Sequence, residues 1–260
     1  MGFSAKKIVW IAVLGVSLLL PAFSENGVKN KTQVQIKTEA MDRGCLVGKR
    51  GIAVVSAVVV QKNTWGIYGG LDVFCPLQAK DVFSDRWKLS GGFLKKLTDH
   101  FTWDLGVRYT FLQRLGFERV GHWTEIYTGI RSDLLMHPRI YFYWDQERRQ
   151  KCFELKFGHD FDLSVFDWNQ LTLSWENTLG FLTARRPYAQ LEGGRLNRRH
   201  KYWYVETAFL LKRHLRENFS LYAGPVLTYN TGGIQSWTIA NAATHRSHFC
   251  SIVFGCEVSF

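Results

Sequence analysis

The chain of 260 residues is poor in proline, 5 against 23 glycines, and its cysteines show no C-x-x-C spacing. It has no G-x-S-x-G elbow, no phosphate-binding loop and no H-E-x-x-H zinc helix, so the common hydrolase, nucleotide and metalloprotease signatures are missing. The five cysteines, Cys45, Cys75, Cys152, Cys250 and Cys256, are odd in number and scattered, which argues against a zinc site, and no cofactor motif replaces them. On one strand Cys250 and Cys256 would stand ~20 Å apart, beyond disulfide reach. Cys45 and Cys75 are candidates for a pair on an outer rim. Beyond the first 24 residues no apolar run approaches the roughly 20 residues a spanning helix needs. A mature chain that enters a membrane must then do so with strands.

The N-terminus sets the compartment. Lys6 and Lys7 precede the apolar run Ile8 to Leu20, then Pro21 and the small-x-small site Ala22-Phe23-Ser24. This is the pattern of a secretory signal peptide over residues 1–24, leaving one domain over 25–260. Removal of Lys6 and Lys7 lowers the net charge from +11 to +9. An exported chain does not meet nucleic acid, so this charge is assigned to anionic lipid or glycolipid phosphates. With 46% hydrophobic and 15% aromatic residues the chain is not a disordered one.

From Gln33 onward the recurring signal is alternation with period two, the mark of strands with unlike faces. Phe101, Trp103, Leu105, Val107, Tyr109 and Phe111 alternate with Thr102, Asp104, Gly106, Arg108 and Thr110. The same holds from Phe153 to Phe161, from Gln170 to Phe181, and from Cys250 to the terminal Phe260. A terminal aromatic on an apolar-faced strand resembles the C-terminal signal that the barrel assembly machinery of the outer membrane reads. Twelve strands are predicted: Val34 to Asp42, Gly51 to Gln61, Trp65 to Cys75, Arg86 to Lys96, Phe101 to Leu112, Gly121 to Ser132, Arg139 to Glu147, Lys151 to Asp162, Asn169 to Ala184, His200 to Lys212, Asn218 to Asn230 and His248 to Phe260. The count is ten if the first two, the least clearly patterned, do not form. Connections alternate between short and long, as periplasmic turns and outside loops do.

The expected architecture is therefore all-β, a closed antiparallel transmembrane β-barrel, because an open sheet edge in hydrocarbon leaves backbone groups without partners. Trp65, Trp87, Trp103, Trp123, Tyr141, Trp144, Trp168, Trp203 and Tyr229 are expected at the interfacial girdles. Asp42-Arg43-Gly44, followed by Trp65-Gly66-Ile67-Tyr68-Gly69-Gly70, resembles the R-G and G-x-Y-x-G signatures of the functionally uncharacterised bacterial barrel family called Gcw-chp. Asp42 stands where that family commonly has an aromatic. The resemblance covers about the N-terminal third and implies an outer-membrane location and a barrel, with no catalytic residues.

On the polar faces, Asp104, Arg108, Glu125, Arg131, Glu154, Lys156, Glu176 and Glu206 form the candidate lumen network. Arg108 falls opposite Glu125, and Lys156 near Glu176, across their hairpins. Two readings are open: an interior ion-pair network that fills a narrow barrel, or a thin aqueous path whose excess of acids favours cations. Arg185, Arg186, Arg195, Arg198 and Arg199 flank a long loop suited to lipopolysaccharide phosphates. The expected function is a non-enzymatic integral barrel of the outer membrane, a small-solute pore or a structural and surface component. The alternatives are a lipid-modifying hydrolase and a soluble secreted β-sandwich. For the hydrolase, His245, Ser247 and Glu257 offer the residue types, yet Ser247 and Glu257 share the lumen parity and stand ~33 Å apart on one straight strand.

Overall fold

The computed structural model describes residues 28–43, 45–77, 85–113, 119–147, 149–164, 170–184, 200–231 and 248–259. Twelve antiparallel strands close into one barrel. They are β1 (Val28–Asp42), β2 (Cys45–Lys62), β3 (Trp65–Pro76), β4 (Asp85–Lys96), β5 (Phe101–Gln113), β6 (Arg119–Ser132), β7 (Arg139–Asp145), β8 (Gln150–Asp162), β9 (Leu171–Ala184), β10 (His200–Arg216), β11 (Phe219–Asn230) and β12 (His248–Ser259). Each strand pairs with its sequence neighbours, and β1 closes on β12 from Lys31↔Ser259 to Lys37↔Val253. The expected signal peptide lies outside the described residues.

The apolar stripes point outward. Leu105 and Val107 on β5, Phe153 on β8, and Ile252 and Phe254 on β12 belong to a wall of exposed large side chains, with Phe254 55% accessible. A soluble sandwich would bury these residues against a second sheet, so that alternative is overturned. The inward stripes hold the charge: Asp104 is 0% exposed, Glu125 2% and Glu154 5%. This chain is an integral outer-membrane type of β-barrel, polar inside and apolar outside.

The start of β1 and the end of β12 share one rim with the tight turns at Asn63, Leu97–His100, 133–138 and 217–218, which makes it the periplasmic rim. There Lys96 Nζ donates to Asp99 at 2.8 Å and holds that carboxyl below the usual carboxylate range. Two expected girdle residues face the other way. Trp123 and Tyr141 share the inward parity of Glu125 and Gly129 and are buried, at 4% and 7% exposure. Their position near strand ends suggested the interface, but the register decides the face. Cys75 lies opposite Ile52 and is a free thiol.

Tyrosines and glycines shape the inner wall together. Tyr68 pairs with Gly92, Tyr127 with Gly106, Tyr141 with Gly129, Tyr204 with Gly180 and Tyr222 with Gly255. A Cβ added at Gly180 would stand 2.0 Å from Tyr204 Cζ, and one at Gly106 2.5 Å from Tyr127 Cζ. The missing side chain lets each ring lie over the adjacent strand, so the phenol hydroxyls reach the next layer of the lumen.

Candidate functional site: a polar lumen crossed by a hairpin tip

The β1–β2 hairpin is longer than its neighbours. Its own ladder runs up to Asp42↔Cys45, but β1 pairs with β12 only as far as Lys37, and β2 pairs with β3 only from Gly51. Among the described residues, the segment between Thr38 and Arg50 leaves the ladders of both flanking strands, with Leu77 N still donating to Arg50 O at 2.8 Å and Ile252 N to Thr38 Oγ1 at 2.9 Å, and a register shift at Ala40/Met41 bends it. Ser251 Oγ grips the departing backbone, donating to Glu39 O at 2.7 Å. Ala40 is buried with Ala53 and the inward-facing Phe74. The tip therefore turns inward over the outer mouth, and its two-residue turn places Arg43 at φ 51°, in the left-handed region such hairpins use.

The tip is fastened to several strands across the lumen. Arg43 donates two hydrogen bonds to Glu125 on β6, Nη1 to Oε1 at 2.5 Å and Nη2 to Oε2 at 3.1 Å. Its Nε lies 3.8 Å from Glu154 on β8, and its guanidinium sits 4.7 Å from the Tyr143 ring centroid. Its carbonyl accepts from Tyr202 Oη at 3.0 Å on β10. Asp42 turns to the opposite wall, accepting from Lys88 Nζ at 2.9 Å with Arg86 at 3.6 Å. A bidentate arginine to carboxylate contact is the strong form of ion pair, and here it is desolvated.

Around these anchors the expected residues assemble. Arg108 lies directly opposite Glu125 in register, 3.8 Å from its Oε2. Glu154 takes Lys156 at 3.0 Å and Tyr204 Oη at 2.5 Å. Lys156 thus serves Glu154 rather than Glu176, because Glu176 stands opposite Gly158, one inward position further along β8. Glu206 faces the lumen within electrostatic range of Lys37 and Lys156. One layer nearer the periplasm, fully buried Asp104 is held by Arg131, by Tyr68 Oη at 2.6 Å and by Tyr141 Oη at 2.8 Å, with Tyr68 bonded in turn to Tyr127.

The expected excess of acids does not hold. Lys31, Lys37, Arg43, Arg86, Lys88, Arg139 and Lys212 also face inward and, with Asp42 and Asp72 counted among the acids, bring the two signs close to balance. Those on β1 sit where polar residues on both faces hide the parity, whereas Arg86 and Lys88 on β4 alternate plainly with Trp87 and Leu89. Glu257 is engaged by Gln33 at 2.6 Å and Lys31 at 2.9 Å in the lumen. His245 and Ser247 lie outside the described residues, as do Arg185, Arg186, Arg195, Arg198 and Arg199.

No family model matches the chain, and no curated protein matches it. Among solved structures it is similar to the NanC porin, at 12% identity over 88% of this chain and 98% of that one, with a TM-score of 0.51. It is also similar to the KdgM porin, at 8% identity over 89% and 99% and a TM-score of 0.43. A third likeness is to the P. putida toluene transporter TodX, at 8% identity over 92% and 91% and a TM-score of 0.41. The first of these shows the outer-membrane barrel fold.

Proposed function

We propose that the protein is a non-enzymatic small-solute channel of the bacterial outer membrane whose outer mouth is closed by the β1–β2 tip. The observation that carries this reading is Arg43, a turn residue drawn into the lumen to complete the Glu125 and Glu154 sites on the far wall. On the periplasmic side the lumen holds an open cavity of about 270 Å³, and Arg139, Asp160 and Glu176 are solvent-exposed there. A barrel filled for stability alone would not need an ion-paired tip above a wet vestibule. With its lumen charges balanced, the open channel is expected to have weak ion selectivity. The porin character of NanC is consistent with this function.

The remaining expectations belong to the same proposal. The outward apolar face of β12 supports recognition by the barrel assembly machinery, the basic β9–β10 loop would contact lipopolysaccharide, and the R-G turn supports membership of the Gcw-chp family. Swelling of proteoliposomes in isosmotic solutions of small sugars and amino acids tests the channel. Slow swelling is expected of the wild type, and faster swelling once residues 40–47 are replaced by a two-residue turn. A folded, shortened barrel that stays impermeable would leave a structural role.

A further inference from the structure

At the periplasmic half of the lumen, β7, β8 and β9 line an open cavity of about 270 Å³. Its charge differs in kind from that of the outer half. There the acids and cations meet in pairs at 2.5 to 3.8 Å. In the cavity, Arg139 lies on the β7 side and Glu176 on the β9 side, with Asp160 on β8 below them and Lys156 on β8 above, its charge already taken by Glu154. Among the described residues none of the three makes an ion pair. They share one space without neutralising one another because β8 runs between them and presents Gly158 there. Gly158 is opposite Glu176, and a Cβ on it would fall 2.4 Å from Trp175 O, so the wall between the charges stays bare.

Arg139 also sits in an unfavourable row. It is the cross-strand partner of Arg131 on one side and of Lys156 on the other, and like charges directly opposite repel. Arg131 has Asp104 and Lys156 has Glu154, so the charge of Arg139 is the one left over. A simple anion would relieve Arg139 but face Glu176 and Asp160; a simple cation would meet the reverse problem. A solute carrying both signs satisfies both walls.

We propose that this cavity binds a small zwitterion of amino-acid size, its carboxylate on Arg139 and its ammonium on Glu176 and Asp160. The inference rests on the channel reading only for how the solute arrives; occupancy does not require conduction.

Equilibrium dialysis of the folded, detergent-solubilised barrel against labelled alanine, propionate and ethylamine tests it. Propionate and ethylamine each lack one charge, and alanine is expected to be retained about fivefold better than either, the value of one partly exposed ion pair. Arg139→Gln should remove that advantage over ethylamine, and Glu176→Gln with Asp160→Asn the advantage over propionate. Heat-modifiable migration verifies the fold of each variant, and the wild-type comparison needs no variant. Equal retention of alanine and its analogues, no retention of any probe, or unchanged alanine binding in both variants would each overturn the site. Retention of alanine by a barrel that never conducts would sink the channel and keep the site. Conduction without alanine preference would do the opposite.

Discussion

Arg43→Gly removes the guanidinium while keeping the turn, since glycine adopts φ 51° without a steric penalty. The hairpin therefore still forms, and the change acts on the tether alone. Breaking a buried ion pair by deleting one partner costs about 3 to 5 kcal/mol. The low end applies, because Glu125 keeps Arg108 at 3.8 Å and Glu154 keeps Lys156 at 3.0 Å. A bias of about 3 kcal/mol against the inward tip is roughly a hundredfold in the open-to-closed ratio. Single-channel recording in planar bilayers reads that ratio as open probability. Wild-type protein should show rare openings, and the glycine variant long ones of the same unitary size, because the bore itself is unchanged. A folded Arg43→Gly barrel with wild-type open probability would refute the tether.

Other perturbations test the wall and the lumen separately. Gly180→Ala puts a methyl 2.0 Å from Tyr204 Cζ and must push that ring off Glu154; a loss of about 1 to 3 kcal/mol in urea unfolding is expected. Gly69→Ala, with nothing within 4 Å of the new methyl, should be nearly neutral in the same measurement. Asp104→Ala leaves Arg131, Tyr68 and Tyr141 without their shared acceptor and is expected to cost about 3 to 5 kcal/mol by the same assay in vesicles. Leu105→Arg places charge on the lipid face and should cost about 2 to 4 kcal/mol if that residue sits near the bilayer midplane, read as a lowered heat-modifiability midpoint.

Much of this was legible along the chain. The period-two pattern gave β5, β8, β9 and β12 to within a few residues, and parity placed Asp104, Arg108 and Glu154 on the lumen side because their neighbours are unmistakably apolar; Glu125, beside Thr124, is placed there by facing Arg108. It also put Arg108 opposite Glu125. Parity failed where both faces are polar. On β1, Asn30 and Thr32 alternate with Lys29, Lys31 and Gln33, so nothing in the pattern marks which face, and which cations, lie inside. The inward tip was not legible for a different reason. It depends on where β1 leaves β12 and β2 leaves β3, which is a property of three ladders ending at different heights. The nearest signal along the chain is the adjacent acid and base Asp42-Arg43 at the hairpin end, a pair that needs opposite charges on two walls. Trp123 and Tyr141 illustrate the limit of position-based reasoning: an aromatic near a strand end belongs to a girdle only if its parity agrees.

Charge reversal tests the closing contact most directly. Arg43→Glu and Glu125→Arg should each raise the open probability in planar bilayers, since each sets like charges against one another at a contact now 2.5 Å long. The account predicts that the double variant, with the pair inverted, recovers part of the closure, the remainder being opposed by Glu154 and Arg108, which then face like charges. A double variant that conducts as freely as either single one would contradict it.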